Sequence, residues 1–213
     1  MPLPELERLV SVMARLRQEC PWDAQQTHRS LVQYLIEETA ETVEAIEVAD
    51  QDHLREELGD LLLQVIFHAE IASEQVGGFT VEDVARGIAD KLISRHPYVF
   101  ATAEIPIDLH YTWEQLKAAE KGRTSALQGI PEQLSALARA NKVIGKARSR
   151  RVQLELPDEP TTAEEAGAQI LMLAARAQAC GIDPEQALRD AVRVLEAQVR
   201  HAESARDDDA TPA

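Results

Sequence analysis

Leu58, Leu61, Leu62, Val65, Ile66 and Ala69 fall at i, i+3, i+4, i+7, i+8 and i+11, a spacing that lines one side of an α-helix. A strand alternates its side chains with a period of two and has no face that would collect these positions. Gly77-Gly78 ends the run. The same period recurs upstream, where Leu6, Leu9, Val10, Met13 and Leu16 form a stripe that stops before a Cys20-Pro21-Trp22-Asp23 turn. A second helix is expected from about Ser30 to Val48, with Leu31, Val32, Leu35, Val43 and Ile46 on its buried side and Asp50-Gln51-Asp52 as turn and cap. Thr80 and Asp83 read as a capping pair for a helix that reaches Arg95 and stops before His96-Pro97. Thr112 opens a short helix through Trp113, Leu116 and Lys117, and a long one is expected to run to about Val152. A Pro/Asp/Glu-rich break follows around Leu156 to Thr162, and then two Ala-rich helices.

Aromatic residues make up 4% of the chain against 45% hydrophobic overall, so aliphatic side chains must fill the interior, which favours helices over a sandwich or barrel. The expected fold is all-α: an antiparallel helical bundle over 1–122, a linker at 123–132, a reduced helical half over 133–203 and a disordered acidic tail at 204–213 around Asp207-Asp208-Asp209. The two halves share a repeat. "EELGDLLLQVIFHAEIA" from Glu56 resembles "EEAGAQILMLAARAQAC" from Glu164, but Asp60 aligns with Ala168, and no counterpart of "EETAE" precedes the second copy. Acid chemistry therefore belongs to the first half.

A net charge of −15 argues against nonspecific nucleic-acid or anionic-membrane binding. Cys20 and Cys180 form neither a CxxC nor a Cys/His zinc spacing and read as ordinary thiols. No apolar run has the length of a membrane span, and MPLPELERLV lacks a basic segment leading into an apolar one, so a cytoplasmic location is expected.

Glu37, Glu38 and Glu41 lie on the second expected helix, and Glu57 and Asp60 on the third, with a turn between them short enough to make the helices antiparallel neighbours. At i, i+3 the paired carboxylates stand one turn apart and can reach one ion. Glu38, Glu41, Glu57 and Asp60 all lie on one flank of their helix's apolar stripe, at the border of the core. A single ExxE is ordinarily a solvated helix face. Two such pairs on adjacent helices, without His or Cys, make a hard-oxygen site suited to Mg2+ or Mn2+.

"EETAE" followed by "EELGD" resembles the EExxE and ExxD motifs of the MazG family. "CPWD", "QTH", "DKLISRHPYVF" and "WEQLKAAEK" occur in that family's order, so the likeness is strong over about residues 5 to 122. "SALQGIPEQLSALARANKV" resembles the connector of its two-domain members. The resemblance implies Mg2+-dependent hydrolysis of nucleoside triphosphates to monophosphate and pyrophosphate by a homodimer. It assigns metal binding to Glu38, Glu41, Glu57 and Asp60, and orientation or deprotonation of a water to Glu37. Phosphate contacts fall to Lys91 and Arg95, and base stacking with a further phosphate contact to Trp113 and Lys117. The plainer alternatives are that Lys91 and Arg95 answer a helix dipole and that Trp113 is a core aromatic. Tyr34 and His53 stand where some domains of the family carry lysine. In the eroded copy Val194 and Gln198 align with Lys91 and Arg95.

Two other functions compete. One is a catalytically weak helical scaffold or regulatory module that meets a partner through Lys142, Lys146, Arg148, Arg150 and Arg151. The other keeps the enzyme class but cuts a diphosphate or nucleotide sugar. His28, His96 and His110 read as capping or solvated groups, since no helical HxxxH spacing links them.

Overall fold

The computed structural model describes residues 3–209, with the side chains of His110 and 206–209 left aside. Among the described residues the regular structure is entirely helical, as the periodicity requires. The chain divides into two compact units, Met1–Ser94 and Arg95–Ala213.

The first unit contains α1 (Pro4–Glu19), α2 (Pro21–Gln25), α3 (Val32–Glu47), α4 (Gln51–Ser73) and nearly all of α5 (Val81–Arg95). Pro21 lacks an amide hydrogen, so α1 stops at Glu19 and α2 starts with proline at its first position. Arg17 ties this corner together. Its side chain is buried, donates to the Asp23 and Gln26 carbonyls, forks onto the Glu74 carboxylate at 2.7–2.8 Å and lies over the Phe67 ring. Met13, Leu31, Ile66, Phe67 and Ile71 form the core, against which Leu9, Tyr34, Leu63 and Val81 pack.

α3 and α4 form an antiparallel hairpin joined by a short turn. Ala49 closes α3 with φ +57°, its N–H donating to Ile46 and the Asp50 N–H to Ala45; these are the two bonds of a Schellman ending. Asp50 then caps α4, accepting from the N–H groups of Asp52 and His53. The face of α3 against α4 differs from expectation. Thr42 and Ala45 are buried, whereas Val32, Leu35, Val43 and Ile46 are exposed. α3 meets α4 through its smaller residues, beside Glu38, and its larger aliphatic stripe points outward. Likewise, Ile66 and Ala69 of α4 are buried while Leu58, Leu62 and Val65 are exposed. Gly78 follows α4 at a position where a Cβ would lie 1.8 Å from the Ala72 carbonyl oxygen, so the close turn admits only glycine.

The second unit contains α6 (Pro97–Phe100), α7 (Leu109–Glu120), α8 (Ala136–Ser149), α9 (Ala163–Ala179) and α10 (Pro184–Asp209). α7 and α10 pack on α8, and α9 on α10. The stretch 123–132, expected as a linker, is built into this unit: Ala126 and Ile130 join Val143, Ala147, Val152, Val192 and Val199 in its core. The division between units falls at Ser94 and Arg95 instead of residue 122. α8 ends at Ser149, short of the expected Val152. α10 continues through Asp209, so 204–209 is helical backbone where a disordered tail was expected; no glycine or proline interrupts it. Residues 210–213 of that expected tail lie outside the described residues.

The basic run at the end of α8 turns inward more than its composition suggests. Lys146 donates to the Gln128 carbonyl, Arg148 to that of Pro157 and Arg150 to that of Arg123. The long side chains bind loops to the helix end, a role that composition alone does not reveal.

Candidate active site

Glu38 and Glu41 project from successive turns of α3 and Glu57 from the facing turn of α4, and one carboxylate oxygen from each lies within 4.8 Å of the others. Glu57 is buried. Its Oε1 lies 3.1 Å from His53 Nε2, one turn earlier on α4, and its Oε2 is buried without a hydrogen-bond partner. His53 thus touches a cluster acid from the position where a lysine stands in some MazG domains.

Asp60 lies outside the tight trio but acts on it. The Glu38 carboxyl is pushed above the ordinary carboxylate range, first by burial and then by the negative charges of Asp60, Glu41, Glu57 and Glu37, in that order. The expected acids therefore share one electrostatic environment. Three carboxylate oxygens within 4.8 Å of one another, one residue with a buried orphan oxygen and one held toward its neutral form by burial and like charge, fit a hard divalent cation. Glu37 is exposed at the edge of the cluster.

Two further orphan atoms share the Glu57 face of α4. Gln64 Oε1 and His68 Nε2 are buried without partners, and positions 57, 64 and 68 fall within about 40° of one another around the helix. His68 stacks on His28 at 5.1 Å with Nδ1 atoms 2.8 Å apart, so one ring donates to the other. His28 is therefore held by a specific partner and is not simply solvated. Burial, then the neighbouring His28, lowers the His68 pKa. Neither Gln64 nor His68 stood out in the sequence, because each falls on a helix face whose depth the local pattern does not disclose.

The expected nucleotide contacts divide between the units. Lys91 is half-buried near the end of α5 in the first. Arg95, Trp113 and Lys117 belong to the second. Arg95 is buried, ion-paired with Glu120 and placed 5.3 Å from the Trp113 ring. His96 lies 4.9 Å from the same indole, ring centroid to ring centroid. Lys117 is 3.2 Å from Glu114. Glu120, the partner of Arg95, carried no signal in the sequence beyond its place in "WEQLKAAEK".

A family model described as the MazG nucleotide pyrophosphohydrolase domain matches residues 26–100. A Thermotoga maritima protein named nucleoside triphosphate pyrophosphohydrolase/pyrophosphatase MazG is 40% identical over 209 residues, covering 88% of this chain and 81% of that protein. This chain belongs to the MazG family. An uncharacterised Streptomyces cacaoi protein is 44% identical over 207 residues, with 95% of this chain and 84% of that protein covered. The Escherichia coli K12 nucleoside triphosphate pyrophosphohydrolase is 46% identical over 147 residues, which span 65% of this MazG chain and 56% of that enzyme. A crystal structure of a mazG-related protein from Thermotoga maritima aligns with 52% of this chain and 97% of that one, at 28% identity and a TM-score of 0.46. The span matched by the MazG domain takes in the five acids, Lys91 and Arg95, while Trp113 and Lys117 lie beyond it.

Proposed function

We propose that this MazG chain hydrolyses nucleoside triphosphates to monophosphate and pyrophosphate with Mg2+, or Mn2+ in its place, as a housekeeper of the nucleotide pool. The observation that carries this reading is the convergence of Glu38, Glu41 and Glu57 from two helices, with Asp60 raising the local negative charge. These four residues would hold the metal. Bound there, Mg2+ supplies charge neutralisation for a triphosphate and acidifies a water. The chain's own part is positioning. Glu57, buried and fixed by His53, sets the floor of the site, and Glu37 at its open edge orients the attacking water or accepts its proton. Lys91 and Lys117 neutralise phosphate oxygens. Arg95, ion-paired with Glu120 and 5.3 Å from the Trp113 ring, would also contact phosphate, and Trp113 would stack on the base.

The reading includes a homodimer. Val32, Leu35, Ile36, Val43 and Ile46 on α3 and Leu58, Leu62 and Val65 on α4 are exposed, an aliphatic surface on the hairpin that carries the acids, and such a surface favours a second copy over water. Free nucleoside triphosphates are cytoplasmic substrates, which sets the place of action. No helix among the described residues is long and apolar enough to cross a membrane.

The deciding experiment measures pyrophosphate and orthophosphate release from canonical and oxidised nucleoside triphosphates, with and without Mg2+. The expected result is Mg2+-dependent pyrophosphate release that Glu41→Gln and Asp60→Asn each abolish. Orthophosphate as the product would change the bond cut, and a folded, metal-saturated protein that releases neither would make the chain a scaffold.

A further inference from the structure

We propose that α9 is an interface between copies of this chain, its bare apolar stripe pairing antiparallel with the same stripe of a second copy. Ala168, Leu171, Met172, Ala175 and Ala179 fall at i, i+3, i+4, i+7 and i+11, so they line one side of the helix. All five are exposed, Leu171 at 73% and Met172 at 60%. Among the described residues α9 packs on α10 alone. Its half-buried residues, Ala166, Ala174 and Ala177, lie on the opposite side of the helix from the stripe.

The internal repeat shows that such a stripe is built to be covered. With Glu164 aligned on Glu56, Leu171, Met172, Ala175 and Ala179 correspond to Leu63, Gln64, Phe67 and Ile71 of α4. There Gln64, Phe67 and Ile71 are buried, and Leu63 packs on the core that Met13 of α1 and Leu31 ahead of α3 complete. The second copy lacks a counterpart of the helix that carries "EETAE". α8, the helix before α9, packs on α10 and α7 instead. The face that the first unit closes is therefore open in the second.

Charge selects the occupant. The charged residues of α9 are Glu164 and Glu165 in its first turn and Arg176 in its last, so the helix is complementary to itself when turned end for end. A two-fold axis between Leu171 and Met172 sets Leu171 of one copy on Met172 of the other and Ala168 on Ala175. It also brings Arg176 within one turn of Glu165 in the second copy, on the same flank. The alanines of the stripe let the two helices approach closely. A parallel pair would instead set acid on acid and align the two helix dipoles. This face lies in the second unit, apart from the α3 stripe of the first, so it would join one homodimer to the next, and it does not depend on the catalytic reading.

Disulfide trapping in the full chain tests the pairing. In a Cys20→Ser, Cys180→Ser background, Met172→Cys and Leu171→Cys each place a thiol beside the axis, and mild oxidation with diamide should give a crosslinked pair on a non-reducing gel. Gln178→Cys, about 20 Å from its counterpart at 1.5 Å per residue, should crosslink about tenfold or more slowly. Arg176→Glu should slow the Met172→Cys crosslink severalfold while Arg176→Lys preserves it, a difference that unspecific apolar collapse would not show. These positions are exposed, so circular dichroism should report the same helical content in every variant. Equal rates at 172 and 178, or a crosslink through Cys180 of the unsubstituted chain as fast as that through Met172→Cys, which marks a parallel pair, overturn the proposal. No crosslink at any of these positions also overturns it and leaves the stripe to a different protein.

Discussion

At the scale of single residues, Glu38 opposes the fold that carries it. Its pKa is raised in the folded protein by burial and by Asp60, Glu41 and Glu57. A carboxyl raised in this way favours the fold below its unfolded pKa and loses that contribution as pH rises through the folded value. At neutral pH it is therefore a strain that a bound cation would relieve. Glu38→Gln should raise the thermal midpoint of the metal-free protein while lowering pyrophosphate release by about a hundredfold or more; a lowered midpoint with activity intact would remove Glu38 from the site. His68 runs the opposite way. Its pKa is lowered by burial and by His28, so its contribution is complete above the unfolded value near 6.5 and fades as pH falls through it. The urea midpoint should drop between about pH 7 and pH 5.5, and His68→Gln should flatten that part of the profile. An identical profile in the variant would place the pH dependence elsewhere.

Helices carry their information at their ends as much as along their faces. The α3–α4 hairpin presents the acid cluster, and its turn rests on Ala49 at φ +57°. Ala49→Gly should stabilise the protein by about 1 kcal/mol, since glycine removes the left-handed penalty at a residue whose side chain is not needed there. For a chain of this length that is roughly 2–4 °C in thermal midpoint, measured with catalytic rate unchanged. A loss of stability would mean that the Ala49 methyl packs against something essential. The paired endings of α3 and α8 also show why a Schellman turn is hard to read from sequence: two of these helices end on alanine and arginine, and only the hydrogen bonds from Asp50 to Ala45 and from Val152 to Ala147 disclose the motif.

For the whole molecule the question is what covers the outward stripe of α3. Valine, leucine and isoleucine at Val32, Leu35, Val43 and Ile46 remain exposed in a chain that buries Thr42 and Ala45 on the adjoining face of the same helix. The homodimer reading predicts that Val43→Glu with Ile46→Glu halves the mass seen by light scattering while preserving helical content. A wild-type chain that is already monomeric at micromolar concentration would end that reading, and the stripe would need another partner.

The sequence by itself determined the four longer helices of the first unit and the placing of its acids on two neighbouring ones; α2, where a turn was expected, it did not. Both are local: a 3.6-residue period, a proline after Glu19, a capping pair at Thr80 and Asp83, and a turn short enough to fold α4 back on α3. The helical class followed from the same patterns and from the scarcity of aromatic residues. Tertiary structure decided which face of α3 meets α4, because an amphipathic stripe calls for a cover without naming it. It decided that 123–132 enters the second core, since Ala126 and Ile130 are too sparse to show a period. It also made the contacts that join distant positions: His28 with His68, Arg95 with Glu120, and Arg17 with Glu74, which lie 40, 25 and 57 residues apart. Such pairs depend on how helices are brought together, and a periodicity read along one helix contains no record of that.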